Sequence, residues 1–148
     1  MGSIIQDVTL TPLRTISAPG GDVLHAMKRT DAGFTGFGEA YFSTILHHGI
    51  KDWRRHLRMT MNLVVPLGSI RFVLYDDRTD STTRGVWMQI CLSRDKNYQR
   101  LTVPFGIWMA FQGLAAPSSM LLNIADLPHE PDEAERRPLD FFKFDWKS

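Results

Sequence analysis

Five polar side chains recur at alternate positions in one short stretch: Arg54, His56, Arg58, Thr60 and Asn62. Successive side chains of an extended chain point to opposite faces, so these five share one face. His56 could act there as a general base, because two neighbouring cations disfavour the imidazolium and keep the ring neutral near pH 7. The alternative is a hydrogen-bonded barrel histidine. Arg54 and Arg58 suit a diphosphate, since planar guanidinium groups bind phosphate oxygens in bidentate fashion. The alternative for them is a solvated or ion-paired strand surface. Thr60, Asn62 and the distant Asn123 offer hydrogen bonds to a ligand hydroxyl or ketone oxygen. Trp108 offers a ring that could stack on a flat ligand.

The element that must carry this face is a strand. Opposite the polar positions stand Trp53, Leu57, Met59, Met61, Leu63 and Val65, with Arg55 and Val64 as exceptions to the alternation. Period two predicts one half-buried strand over 53–65, ended by the turn Pro66-Leu67-Gly68-Ser69. Further strands are expected over 70–75, 86–92, 101–103, 107–111 and 120–124, with polar or glycine-bearing turns between them. Many short strands at this spacing imply an all-β sandwich, jelly roll or barrel with few or short helices. The acidic, proline-containing segment 128–137 is expected at the surface. Phe141, Phe142, Phe144 and Trp146 then return as apolar anchors.

Composition bounds the rest. A chain of 148 residues predicts one domain, 1–148, large enough to bury a core without staples. The net charge of +1 gives no argument for nucleic acid or a membrane surface. No apolar run reaches the roughly 18 residues of a membrane span, and the first residues carry no leader pattern. The lone Cys91 sits in an apolar run and fits a small buried hydrophobe in a reducing, cytoplasmic compartment.

Two spacings name a family. Gly49, Arg54-x-His56, Met61 and Gly68 stand where metal-binding cupins carry glycine, His-x-His, glutamate and glycine. Pro104-x-Gly106-x-x-Met109 stands where they carry Pro-x-Gly-x-x-His. Of the four ligand positions only His56 keeps a metal donor, so no metal is expected. Strict alternation puts Met61 opposite His56, and a bulge or turn near 59–61 would bring them together.

Within the cupins, Gly68-x-Ile70-x-x-Val73-x-x-Asp76-x-Arg78, Ser81-Thr82-Thr83, Leu92-Ser93 with Asn97, Val103-Pro104-x-Gly106, and Asp31 with a following Gly-Phe pair and Glu39 resemble the dTDP-4-dehydrorhamnose 3,5-epimerase family. The resemblance covers roughly 31–133. It implies a cupin barrel that epimerises or isomerises a 4-keto-6-deoxyhexose nucleotide without metal or organic cofactor, in surface-polysaccharide or glycoside biosynthesis. It also implies a homodimer, here with an interface within 31–45. A histidine base, a tyrosine acid and basic residues do the family's chemistry. His56 best matches the base, with Arg54 the other candidate at that place. The family lysine falls on Met61, its second histidine on Met109, and its tyrosine near Leu122-Asn123. Tyr75 is therefore the candidate acid, with Tyr41 the alternative, and Glu39 joins Arg58, Thr60, Asn62, Asn123 and Trp108 as candidate substrate contacts. Loss of the lysine, histidine and tyrosine leaves a non-catalytic ligand- or partner-binding cupin as the competing reading.

Overall fold

The computed structural model describes residues 4–147; residues 1–3, part of the stretch read above for a leader, lie outside them. Two five-stranded antiparallel sheets face each other. The first has the order β1 (Thr9–Pro12), β9 (Gln99–Val103), β6 (Met61–Leu67), β11 (Ser118–Ala125), β4 (Glu39–Leu46). The second has the order β12 (Ala134–Arg137), β5 (Ile50–His56), β10 (Ile107–Gly113), β7 (Ser69–Asp76), β8 (Trp87–Ser93). A small hairpin, β2 (Thr15–Ile16) with β3 (Val23–Leu24), stands apart from both sheets. One 3-10 turn, Leu139–Phe141, is the only helical element among the described residues. This is the jelly-roll barrel of the cupins.

Side-chain parity sorts two cores. On the lumen side Ile70, Phe72 and Leu74 of β7 meet Met61, Leu63 and Val65 of β6, Ile107 and Met109 of β10, and Leu101 and Val103 of β9. On the outer face of the second sheet lie Trp53, Val73, Trp108 and Ala110, and the C-terminal residues Leu139, Phe142, Phe144 and Trp146 cover them. Ring pairs such as Trp53 with Phe142 at 5.2 Å and Phe144 with Trp146 at 4.8 Å fix that tail edge to face. The Trp53 indole N–H donates to the Leu139 carbonyl at 3.1 Å.

The segment 53–65 is two strands, not one. β5 ends at His56 and β6 begins at Met61, and residues 57–60 turn between them. Arg54 and His56 face the lumen on β5, with a register shift before them that also leaves Lys51 at the cavity, and odd positions face it on β6. This turn at 57–60 does what a bulge or turn near 59–61 would do, and brings Met61 to the same space as His56. Gly68 makes the next turn at φ +80°, where a side chain would also strike Ser119.

The recurring family residues away from the barrel mouth hold loops. Asp76, fully buried, accepts from Arg78 Nε at 2.9 Å, Ser81 Oγ at 2.5 Å and Thr83 Oγ1 at 2.7 Å. Arg78 also donates to the Gln6 carbonyl at 2.7 Å, which ties the N-terminal segment to the β7–β8 connection. Burial raises the Asp76 carboxyl, but the bonds from Arg78, Ser81 and Thr83 outweigh it and hold the group well below the usual carboxylate range. The buried Arg100 likewise reaches Asp31 at 3.3 Å and the carbonyls of Ala26 and Ala32. Cys91 is exposed on the edge strand β8, not buried as its apolar run suggested.

Candidate active site in the barrel lumen

Between the sheets opens a cavity of about 560 Å³. The second sheet lines it with Lys51, Asp52, Arg54 and His56 of β5, Met109 and Phe111 of β10, and Arg136 and Arg137 of β12. The first sheet lines it with Tyr41 and Ser43 of β4, Met61 and Leu63 of β6, and Leu121 and Asn123 of β11. One wall thus carries the cations and the imidazole, and the other a phenol, a hydroxyl and an amide set among apolar side chains.

His56 is 6% exposed, and its Nδ1 lies 2.6 Å from Glu133 Oε1. Glu133 is itself buried, at 2% exposed. Its other oxygen accepts three backbone N–H groups, from Leu57 at 3.1 Å, Arg58 at 2.9 Å and Met59 at 2.9 Å. The turn 57–60 thus wraps one carboxylate. Burial pushes the Glu133 carboxyl up, but the bonds from Arg58, His56 and Met59 win and hold it below its ordinary value. An ionised carboxylate can only accept, so His56 Nδ1 carries the proton and donates it. In the neutral ring Nε2 then carries the lone pair, the arrangement of an oriented general base in a residue that lines the cavity.

Burial and the nearby Arg136 both lower the Arg54 guanidinium from its ordinary value. Among the described residues neither Arg54 nor Arg136 forms an ion pair. These two guanidinium groups without an ion pair, with Lys51 beside them and Asp52 as the carboxylate in the lining, make an anion-accepting wall. Across the lumen Asn123 Nδ2 donates to Tyr41 Oη at 3.1 Å.

The four cupin ligand positions, Arg54, His56, Met61 and Met109, all line this cavity. Their donor set does not fit a metal ion. Arg54 repels a cation and the two thioethers are weak donors, so His56 is left as one good donor where a metal ion needs three or four. Among the described residues no group of three or more His, Cys, Asp or Glu side chains could hold one.

Of the nine candidate residues, His56, Arg54 and Asn123 come together here, and six lie elsewhere. Tyr75 and Trp108 are register partners on the outward parity of β7 and β10. Tyr75 packs on Trp87 and Phe142 at 4.7 and 5.0 Å, and Trp108 lies beneath Arg55 at 4.6 Å. Asn62 points outward from β6, donating to the Gly33 carbonyl and accepting from Thr102 at 2.6 Å. Arg58 and Thr60 sit in the turn after β5, where Arg58 makes an exposed pair with Glu130 and Thr60 N–H caps Asp126. Glu39 accepts from the backbone N–H of His129.

The residues missed by sequence reasoning are as informative. Segment 128–137 is not simply surface: it buries Glu133 and pairs β12 with β5. Ala134-Glu135-Arg136-Arg137 has no apolar alternation, so period two could not find this strand. Tyr41 was visible only as an alternative, and its lumen parity with Ser43 and Ile45 is the signal that favours it over Tyr75.

No protein-family model matches the chain. The crystal structure of a dTDP sugar isomerase from Desulfovibrio desulfuricans G20 is 40% identical. It covers 96% of this chain and 92% of that one at a TM-score of 0.92. A probable low-salt glycan biosynthesis epimerase of Haloferax volcanii is 30% identical over 104 residues, which are 68% of this chain and 66%, just under two thirds, of that protein. A dTDP-4-dehydrorhamnose 3,5-epimerase from Bacillus anthracis, 23% identical, shares the fold at a TM-score of 0.77 over 88% of this chain and 78% of its own. With a relative matched at this identity over nearly its whole length, and a lumen carrying the cupin frame, the chain belongs to the dTDP-4-dehydrorhamnose 3,5-epimerase family of cupins.

Proposed function

We propose that this chain is a cofactor-independent epimerase or isomerase of a 4-keto-6-deoxyhexose nucleotide, working in surface-polysaccharide or glycoside biosynthesis. The observation that carries the reading is the buried His56–Glu133 pair in the cavity wall, in which Glu133 accepts the Nδ1–H hydrogen bond and Nε2 is left as the basic nitrogen. A proton on the carbon beside a ketone is acidic only if the resulting enolate is stabilised. His56 Nε2 removes it, and Glu133 steadies the imidazolium that forms. Arg54, with Arg136 and Lys51 on the same wall, offsets the charge of the enolate oxygen or of the diphosphate. Tyr41 stands on the opposite sheet and returns a proton from the other side of a sugar ring held between the walls. Epimerisation requires this two-sided arrangement, whereas return by His56 to the same carbon only regenerates the substrate. Delivery to the former carbonyl carbon, with the neighbouring hydroxyl giving its proton to the old carbonyl oxygen through solvent, moves the ketone to that neighbour.

Incubation with a panel of 4-keto nucleotide sugars in deuterated water tests the reading. Deuterium incorporated beside the ketone supports it, and nucleotide-sugar binding without exchange supports a non-catalytic binding cupin instead. The methionines Met61 and Met109 at the family's lysine and histidine positions favour that second reading. Homodimerisation through 31–45 is part of the proposal. β4 is a sheet edge whose outward residues Phe42 and Leu46 are 62% and 72% exposed, a surface that a second copy would cover. A cytoplasmic setting is also part of it, and no helix among the described residues is long and apolar enough to cross a membrane.

A further inference from the structure

Asn123 is 3% exposed and lines the cavity, yet its carbonyl Oδ1 has no hydrogen-bond partner among the described residues. A buried acceptor left bare is unfavourable, and the group expected to satisfy it is one that enters the cavity. Its amide N–H is already placed, donated to Tyr41 Oη at 3.1 Å. The two residues are direct register partners on β11 and β4, so backbone pairing fixes their separation. Because the phenol oxygen accepts that bond, its own O–H remains free to donate into the lumen. The pair therefore presents one donor and one acceptor side by side. A half-turn of the amide would exchange the two roles and still leave one of each. Around them Leu121, Met61 and Leu63 are apolar, and Ser43, two positions along β4, is the remaining polar side chain of this wall.

We propose that Tyr41 and Asn123 are the specificity-determining pair of this site. They read a ketone together with the hydroxyl on the adjacent carbon: in the ground-state complex, before any proton is returned to carbon, Tyr41 donates to the ketone oxygen from the face opposite His56, and Asn123 accepts from the hydroxyl. The inference rests on the keto-sugar reading and adds to it the edge of the sugar that is recognised. A ligand with the ketone but without the neighbouring hydroxyl leaves Asn123 Oδ1 buried and bare, which is how a polar pocket rejects a deoxy analogue.

Equilibrium dialysis with thymidine-labelled ligands tests this, because it reads bound nucleotide whichever sugar isomer it carries. The probes are dTDP-4-keto-6-deoxyglucose and dTDP-4-keto-3,6-dideoxyglucose. The unsubstituted protein is expected to prefer the first by about 10–100-fold. Asn123→Leu should bring the two within about threefold, chiefly by tightening the dideoxy ligand, and Tyr41→Phe should weaken both ligands while keeping the preference between them. Equal dissociation constants for the two ligands on the unsubstituted protein overturn the inference and leave the keto-sugar reading standing; that arm needs no variant to fold. A preference that persists in Asn123→Leu assigns the hydroxyl to another residue and also overturns it. If neither ligand binds, the keto-sugar reading falls and this inference with it.

Discussion

Glu133→Gln separates a base that is merely present from one that is correctly protonated. The carboxylate serves four donors: His56 Nδ1 at 2.6 Å and the N–H groups of Leu57, Arg58 and Met59 at 2.9–3.1 Å. Glutamine is nearly the same size but has a single acceptor oxygen and an amide that can only donate. If its oxygen keeps the backbone amides, the NH₂ faces His56 and the imidazole must accept at Nδ1. The ring proton then moves to Nε2, and no lone pair faces the cavity. Removing a general base costs about 10²–10⁴-fold in rate, so kcat should fall by that factor while KM moves by less than about threefold. The variant loses charge-assisted bonds but keeps the fold of the turn, at a cost of about 2–3 kcal/mol in stability.

Two readouts check this reasoning. Solvent-deuterium exchange into a keto-sugar nucleotide measures the base, and ¹⁵N shifts of His56 report its tautomer directly. The reasoning is refuted if Glu133→Gln exchanges within tenfold of the parent, or if its imidazole still carries the proton on Nδ1. The acid limb gives a further sign. The Glu133 carboxyl is lowered in the folded chain, so its contribution to stability is fully present above its ordinary value of 4.5. It fades as pH falls through the folded value. Glu133→Gln should therefore narrow the stability gap to the parent in acid.

His56→Ala should depress turnover more than binding, whereas Arg54→Ala should raise KM mainly if Arg54 holds the diphosphate and lower kcat as well if it faces the enolate; steady-state kinetics on one keto-sugar nucleotide separates these outcomes. Asp76→Ala should cost about 3 kcal/mol and on the order of 10 °C in Tm by stranding Arg78 and freeing the N-terminal segment, measured by thermal unfolding. That loss should shrink only in strong acid, where the depressed Asp76 carboxyl of the parent finally protonates. Phe42→Glu places a charge on the exposed outer face of β4 and should give a monomer by light scattering at micromolar concentration, while an unchanged mass would move the interface away from 31–45.

The barrel was legible because its signals are local. Period two and the polar or glycine-bearing turns placed β7 through β11 within a few residues, and the Gly68 and Pro104-x-Gly106 frames located the lumen. The site was less legible because parity resets at each turn. Arg54 and His56 face inward on even numbers, but after residues 57–60 the inward positions of β6 are Met61 and Leu63. Arg58, Thr60 and Asn62, read as a continuation of the same face, are thrown into the turn or outward. Tyr75 fails for the same reason on β7, where the aliphatic and aromatic residues of both faces are buried and alternation carries no sign of which is the lumen.

The partner of the base was illegible for a different reason. Glu133 lies 77 residues from His56, in a segment whose charges and proline look like surface. What buries it is the pairing of β12 with β5 and the aromatic tail behind it, both long-range packing. The same route joins stability to chemistry. Trp53 of β5 is clamped by the Leu139 carbonyl and Phe142, one position before Arg54 and three before His56. The tail that seals the outer core therefore also sets the strand that carries the base. A lesion among Trp53, Phe142 or Trp146 should reach the lumen through β5 and its pairing with β12.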